Sequence, residues 1–167
     1  MEKIKIGGIM QSDGRAFVKI MSVPDQAGVA ATILSAMGNS GINTEFVVQS
    51  NDIDDYCNFA LVIDQKDLDH ALSVLEEVKP LTNAKGISYN PDVAIISVFG
   101  PHLREKPRIP GVMFSTIASV GIGTLAISTS ISSVSCVVEG QQLDAAIEAL
   151  NEVFDAPFQI KKRPKSY

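Results

Sequence analysis

The sequence predicts an α+β protein made of two tandem copies of a β-α-β-β-α-β unit. In each copy we expect an antiparallel sheet with helices on one face. Three observations predict this fold class. Apolar runs with strand alternation are interspersed with segments of helical spacing. Glycine and proline separate these segments. The same order of elements starts again after Asn90-Pro91-Asp92, and 167 residues suffice for two small domains.

Two strands are predicted ahead of the first helix. Residues 4–10 form a short apolar run, and Gln11-Ser12-Asp13-Gly14 is a turn signal. Residues 16–23 alternate and are rich in β-branched side chains, and Pro24 and Asp25 end that strand. The strand at 4–10 has no counterpart between the copies. We expect it to complete the sheet of one copy, with the second copy as the candidate.

The first helix is predicted over residues 27–40, and Gly41 ends it. Its apolar stripe consists of Val29, Ile33, Ala36 and Met37. Asp25 is the predicted N-cap, and Gly28 lets the backbone approach another group closely. Because free N–H groups at a helix start attract anions, we expect this turn to accept a carboxylate.

The rest of the first copy is predicted as strand, acidic turn, strand, helix and strand, at residues 42–50, 51–55, 56–63, 65–78 and 84–89. Asp64 is expected to cap the helix and Pro80 to end it. In the second copy, strand, helix, two strands, helix and strand are predicted at residues 93–99, 107–120, 122–130, 134–138, 143–154 and 158–160.

The two copies align on short identical pairs. Gly41-Ile42 corresponds to Gly121-Ile122, and Leu68-Asp69 corresponds to Leu143-Asp144. We therefore expect one domain over residues 15–90 and another over residues 91–167, with residues 1–14 as an added strand of the second.

Composition excludes several classes of protein. The net charge of −5 argues against nucleic-acid binding, which needs a basic face. No apolar run reaches the roughly 18 residues that span a membrane, and no basic leader that would indicate a secretory signal opens the chain. Cys57 and Cys136 lie in apolar runs and are expected to be buried thiols, so we expect a cytoplasmic protein. The basic cluster 161–165 is expected to be a solvated tail.

Catalytic chemistry is not indicated. His70 and His102 do not combine with the cysteines into a metal-binding spacing, and no glycine-rich phosphate loop occurs. The acidic turn 51–55 lacks the spacing of a calcium loop and predicts a hairpin turn. We expect no catalytic residue, no cofactor and no metal.

The motifs carry a family resemblance. A strand followed by Asp25-Gln26-Ala27-Gly28-Val29-Ala30-Ala31, a helix ending in Gly41-Ile42-Asn43 and a strand ending in Val47-Val48-Gln49 resemble the ACT domain. Two such domains, with Ile127-Ser128-Thr129-Ser130 closing the matching strand of the second, resemble the regulatory portion of aspartate kinase, in its separate beta-chain form. The resemblance implies two ferredoxin-like domains in a homodimer. It also implies binding of free threonine or lysine, a catalytic aspartate kinase chain as partner, and feedback control of aspartate-family amino-acid synthesis.

The resemblance also implies a set of ligand contacts, which come from the first turn and helix start, from one strand and from the second copy. They are Asp25, Ala27, Gly28, Val29, Ala30, Ile42, Asn43, Gln49, Gly123, Thr124 and Leu125. Capping alone would explain Asp25, exposure on a strand would explain Gln49, and local turn hydrogen bonds would explain Asn43.

The second copy departs from the family pattern. Pro107-Arg108 stands where Pro-Gly is usual, Gly123-Thr124 lacks the common Asn, and Ile131 replaces an acidic residue. Because Arg lacks the freedom of glycine and fills space, we expect the first turn to be the better site, and the second to be empty or altered in specificity.

Two other functions stay open. One is a stand-alone ACT-type sensor that acts on another partner. Co-purification with a kinase chain would exclude this function. The other is a small enzyme on the same fold, which the absence of an acid–base or nucleophile constellation disfavours.

Overall fold

The computed structural model describes residues 2–161. The chain divides into a first unit, Gly14–Asp92, and a second unit, which comprises Met1–Asp13 and Val93–Tyr167. Two long strands, β2 (Gly8–Pro24) and β5 (Gly86–Phe99), contribute residues to both units. The mixture of helices and antiparallel strands confirms the predicted α+β fold class.

The first unit has the sheet order β3-β4-β2-β5. Its further elements are α1 (Val29–Asn39), β3 (Thr44–Asn51), β4 (Tyr56–Asp64) and α2 (Leu68–Thr82). Strand β4 pairs antiparallel with both β2 and β3. Alternate residues of β2 and β4 form the core together with the apolar stripes of α1 and α2, so both helices lie on one face of the sheet.

The second unit has the sheet order β2-β5-β7-β6. Its further elements are β1 (Ile4–Lys5), α3 (Arg108–Ser119), β6 (Ala126–Thr129), β7 (Ser133–Glu139), α4 (Leu143–Val153), β8 (Phe154–Asp155) and β9 (Phe158–Lys161). Strand β1 pairs parallel with β8, and the start of β2 pairs parallel with β9. Its separate core contains the buried faces of α3 and α4.

The repeated Gly-Ile pair closes the first helix of each unit. Gly41 and Gly121 adopt left-handed φ angles of 72° and 78°. The N–H groups of Ile42 and Ile122 donate to the carbonyl five residues earlier, at 3.0 and 3.3 Å. This is the hydrogen bonding of a Schellman motif, and the side chains of both isoleucines are buried. The predicted role of Gly41 is therefore confirmed.

The predicted turn at residues 11–14 was wrong, because β2 runs through it. Gly14 adopts φ 64° within the strand, which costs glycine little. Pairing continues on both sides, with β9 as far as Gln11 and with β4 from Arg15 onward. The break expected at Asn90-Pro91-Asp92 likewise lies inside β5, where pairing with β7 starts only at Val93.

Pro80 does not end α2, which continues to Thr82. Proline lacks one N–H, and in the last turn this removes a single helical bond. Asn83, with φ 55°, ends the helix instead. Asp64 does act as a cap, because its Oδ1 accepts a bond from the Lys66 N–H at 3.1 Å in the 3-10 turn that precedes α2.

Several further expectations concern termini and burial. Both cysteines are free and buried, as predicted.

Within residues 2–161 no helix is long and apolar enough to cross a membrane. Of the basic cluster 161–165, only Lys161 belongs to the described residues. In the second unit, β6 is shorter than predicted, and α4 ends at Val153 because Phe154 begins β8.

Candidate ligand-binding site

Asp25 lies in the turn between β2 and α1, but it is not the N-cap. The N-cap is Gly28, with φ 95° and no side-chain cap hydrogen bond. Two residues separate Asp25 from Gly28, so its carboxylate does not reach the N–H groups at N2 or N3. The predicted capping role of Asp25 is therefore wrong, and its side chain is available for other contacts.

The Asp25 carboxylate contacts the hairpin between β3 and β4. Asn51 Nδ2 donates to Asp25 Oδ2 at 2.8 Å, and the Cys57 thiol lies 3.3 Å from Oδ1. The backbone N–H of Asp25 donates to the carbonyl of Asp55 at 3.2 Å. The exposed carboxylate is thus held in one orientation by the end of the hairpin.

Cys57 joins this group to Gln49. Its sulfur lies 3.2 Å from Asn51 Oδ1 and accepts a bond from Gln49 Nε2 at 3.6 Å. Burial raises the pKa of the Cys57 thiol, and the neighbouring Asp25 carboxylate raises it further. The thiol therefore stays protonated at neutral pH and can donate to Asp25. We call Asp25, Gln49, Asn51 and Cys57 the hairpin-end cluster.

Sequence reasoning missed two members of this cluster. Asn51 was assigned only to a turn, and Cys57 only to an apolar core. Strand register brings them together, because Cys57 is opposite Val23 on β2 and opposite Asn51 on β3. A hairpin prediction that assigned this register would have placed both side chains beside the end of β2.

The start of α1 supplies hydrogen-bond donors next to the turn. Its first helical bond runs from the Thr32 N–H to the Gly28 carbonyl at 2.9 Å. The N–H groups of Ala30 and Ala31 precede that bond and have no intrahelical acceptor. Val29 and Ala30 are half-buried against the core, whereas Ala27 and Gly28 are exposed. The turn therefore combines a carboxylate with backbone N–H groups.

The other predicted contacts in this unit lie at the opposite end of β3. Ile42 is buried and Asn43 is exposed just before that strand, whereas Gln49 lies near its far end. At about 3.3 Å per residue, the six steps from Asn43 to Gln49 span about 20 Å. One small ligand cannot touch Asn43 and Asp25 of the same chain.

The predicted contacts of the second unit occupy the equivalent position ahead of β6. Gly123 and Leu125 are exposed and Thr124 is half-buried. The Leu125 N–H donates to the Val137 carbonyl at 2.8 Å, so this segment is anchored to β7. Arg108 is the first residue of α3 and is exposed.

Among residues 2–161 there is no group of three or more His, Cys, Asp and Glu side chains that could hold a metal ion.

Gly28→Ala is expected to lower the free energy of unfolding by about 1–2 kcal/mol, because an L-residue is strained in the left-handed region. An added Cβ would meet nothing within 4 Å, so the cost is conformational and not steric. Chemical denaturation measures it. Gly38→Ala is the matched control, because Gly38 lies within α1 in equally open space and should gain stability. Equal effects of both variants would contradict the explanation.

Two segments of the chain match the ACT domain family, residues 18–80 and residues 96–154. Together they cover more than half of the 167 residues. The chain belongs to the ACT domain family. One matched segment lies in each structural unit, so the repeat seen in the sequence is a pair of ACT domains.

The ACT pair is similar in sequence to one part of longer proteins. The aspartate kinase of Pseudomonas putida is 32% identical over 155 residues, which cover 93% of this chain and 38% of that protein. An aspartokinase from Bacillus sp. (strain MGA3) is 29% identical over 154 residues, again with 38% of its length matched. This chain therefore spans 38% of the length of these curated relatives.

A structural comparison covers both ACT domains. The regulatory subunit of aspartate kinase from Thermus flavus has a TM-score of 0.83 and 26% sequence identity. The match covers 90% of this chain and 99% of the Thermus chain. The resemblance to the paired ACT domains of the regulatory portion of aspartate kinase is therefore confirmed.

Asp25→Asn is expected to lower the pKa of Cys57 in the first ACT domain, because removing the carboxylate removes a cause that raises it. A pH titration followed by thiolate absorbance measures this shift. Cys136 does not interfere, because burial raises its pKa to about 12. Asp69→Asn, an exposed change in α2, is the control. An unchanged Cys57 titration in Asp25→Asn would contradict the contact.

Proposed function

We propose that this chain is a regulatory part of an aspartate kinase that binds free threonine or lysine at the first ACT domain. The observation that carries the proposal is the oriented, exposed carboxylate of Asp25 beside the free N–H groups of α1. Similarity to a regulatory subunit over nearly the whole chain supports the same function.

The chemistry of a free amino acid fits this turn. Its carboxylate matches the N–H groups of Ala30 and Ala31, where the helix dipole also favours negative charge. Its ammonium matches the Asp25 carboxylate, and the Gln49 amide oxygen is a further acceptor because Gln49 bonds to Cys57 through its nitrogen. Both charged groups of the ligand thus find partners within one turn.

We propose that a second copy of the chain completes the site in a homodimer. Asn43 lies too far along β3 to share a ligand with Asp25 of the same unit. Residues of this kind would contact the ligand across an interface between copies. Dimers with two-fold symmetry are the usual closed assembly.

Regulation follows from linkage. A ligand that binds one assembly more tightly shifts the equilibrium toward it, and such coupling is typically about 1–3 kcal/mol. In this proposal the ACT pair acts in the cytoplasm on a catalytic aspartate kinase chain, which carries out the phosphoryl transfer. Binding of threonine or lysine to the ACT pair would thereby give feedback control of aspartate-family amino-acid synthesis.

Calorimetric titration of the pure protein with threonine, lysine, methionine and valine tests the proposal. Saturable binding of threonine or lysine alone is expected. Gel filtration with and without the bound amino acid then tests for a dimer, and affinity capture from cells of the source organism tests for the kinase chain. Binding to none of the four amino acids would overturn the sensor function. Binding with another captured partner would favour a stand-alone sensor.

A further inference from the structure

A cavity of about 180 Å³ lies in the second unit, beside the start of α3. Its walls come from the loop after β5, the first turn of α3, the end of β6 and the start of β7. The lining residues are Leu103, Arg104, Lys106, Pro107, Pro110, Thr129, Ser130 and Val134. Every one of them belongs to the second unit.

The charged groups on the cavity wall are both cationic. Arg104 lies in the 3-10 turn Leu103–Glu105, and Lys106 follows directly. Lys106 Nζ donates to the carbonyl of Lys5 at 2.7 Å, which fixes the ammonium and leaves it two further protons. The nearby Glu105 carboxylate is paired with His102 at 3.5 Å and does not line the cavity.

Two residues with hydroxyl groups, Thr129 and Ser130, line the same cavity as the cations. Ser130 Oγ accepts bonds from the N–H groups of Ser132 and Ser133. Its proton is available to a bound acceptor only when the neighbouring Ser133 hydroxyl is the donor in the contact between the two side chains. Its contact with Ser133 Oγ, at 2.9 Å, admits either direction of donation. Thr129 adds a second hydroxyl. Among the described residues that line the cavity, the polar groups are therefore mainly donors, and none is a carboxylate.

The two repeats differ in the side chains that line each site. In the first unit the turn after the strand carries Asp25, and the end of β3 carries Gln49 and Asn51, which offer acceptors for an ammonium group. In the alignment of Gly41 with Gly121, Asp25 corresponds to Glu105, whose carboxylate contacts His102 and is not part of the cavity lining. The cavity is lined instead by Arg104 and Lys106, and by Thr129 at the end of β6.

The size of the cavity limits the ligand. Pockets for drug-sized molecules measure about 300–1,000 Å³, so this cavity accepts something smaller. Arginine and lysine pair strongly with the oxygens of phosphate and carboxylate groups, and Arg does so through two parallel bonds. Leu103 and Val134 are buried and give the cavity an apolar part, next to which such pairing is stronger than in open water.

We propose that the second unit binds a small oxyanion, a phosphate or a small dicarboxylate without an ammonium group, between Arg104, Lys106 and the hydroxyls of Thr129 and Ser130. This site is separate from the proposed amino-acid site, so each can fail without the other. It gives the chain a second chemical input, an anion in addition to a zwitterionic or cationic amino acid.

Titration of the full chain at low salt, with inorganic phosphate and with succinate, tests this site by calorimetry and by amide NMR. At least one of these anions is expected to bind saturably, with one site per chain and shifts in the Thr129 and Ser130 amides. Arg104→Ala should weaken binding at least 10-fold, whereas Arg104→Lys should retain part of it. Which anion binds more tightly distinguishes phosphate from dicarboxylate.

Lys66→Ala is the matched control, because it removes one exposed cation from the first unit. The Lys66→Ala variant should bind phosphate or succinate with the same affinity as the parent chain. Equal losses in Lys66→Ala and Arg104→Ala would show nonspecific attraction and overturn the proposal, as would the absence of saturable binding for both anions. Thermal unfolding of each variant confirms that loss of binding is not loss of fold.

Discussion

Asp25→Ala is expected to weaken the binding of threonine or lysine about 10- to 100-fold, since hydrogen bonds to charged groups contribute about 1.5–3 kcal/mol. The Asp25 carboxylate is exposed, so a ligand can contact it without a conformational change of the protein. Asn51 orients it at 2.8 Å, so the parent site is preorganised. Calorimetry with the full chain measures the loss.

Asp54→Ala is the control for this experiment. Asp54 is an exposed carboxylate in the adjacent hairpin turn, where its backbone N–H, and not its side chain, bonds to Asp52. Asp54→Ala removes the same charge near the site but no contact with the ligand. Because salt screens exposed charges, the affinity for the amino acid should stay within about twofold. Unchanged affinity in Asp25→Ala would show that the amino acid does not bind at this turn.

Phe59→Ala is expected to lower the free energy of unfolding by about 3–5 kcal/mol, the usual cost of removing a buried aromatic ring. Phe59 is 2% exposed and lies on β4 in the core of the first unit. Because the stability of a small domain is of similar size, this unit should be largely unfolded at moderate temperature. Thermal and urea unfolding measure the change.

Phe158→Ala is the matched control, since that ring is 65% exposed on β9. The expected change is within about 0.5 kcal/mol, as for most surface substitutions. Two variants of the same chemistry thus differ only in burial. Similar losses of stability in both would contradict the assignment of the core.

Much of the fold follows from periodicity. The apolar stripes predicted α1 and α3, and the Gly-Ile pairs predicted where both helices end. The errors share one cause. Residues 11–14 and Pro91 are local breakers, but each lies beside a paired stretch of the same strand, which ends at Gln11 and resumes at Arg15 in β2 and starts at Val93 in β5. Local propensity is weak evidence when tertiary pairing opposes it.

The site was predicted less completely than the fold. Asp25 and Gln49 could be named from the family resemblance, but the capping role of Asp25 placed the N-cap three residues before its actual position at Gly28. Asn51 and Cys57 were missed because only strand register makes them neighbours of Asp25. The cationic cavity was missed because it is formed by residues from four separate elements.

The pairing of β9 with the start of β2 has a consequence for biosynthesis. The first unit is continuous in the chain, so its contacts can form as soon as Asp92 has left the ribosome. The second unit pairs residues that lie far apart in the sequence, with Gly8 opposite Phe158, and cannot be completed until β9 has been synthesised. Closing so long a loop is entropically costly and slow. We expect vectorial synthesis to deliver a folded first ACT domain before the second ACT domain is complete.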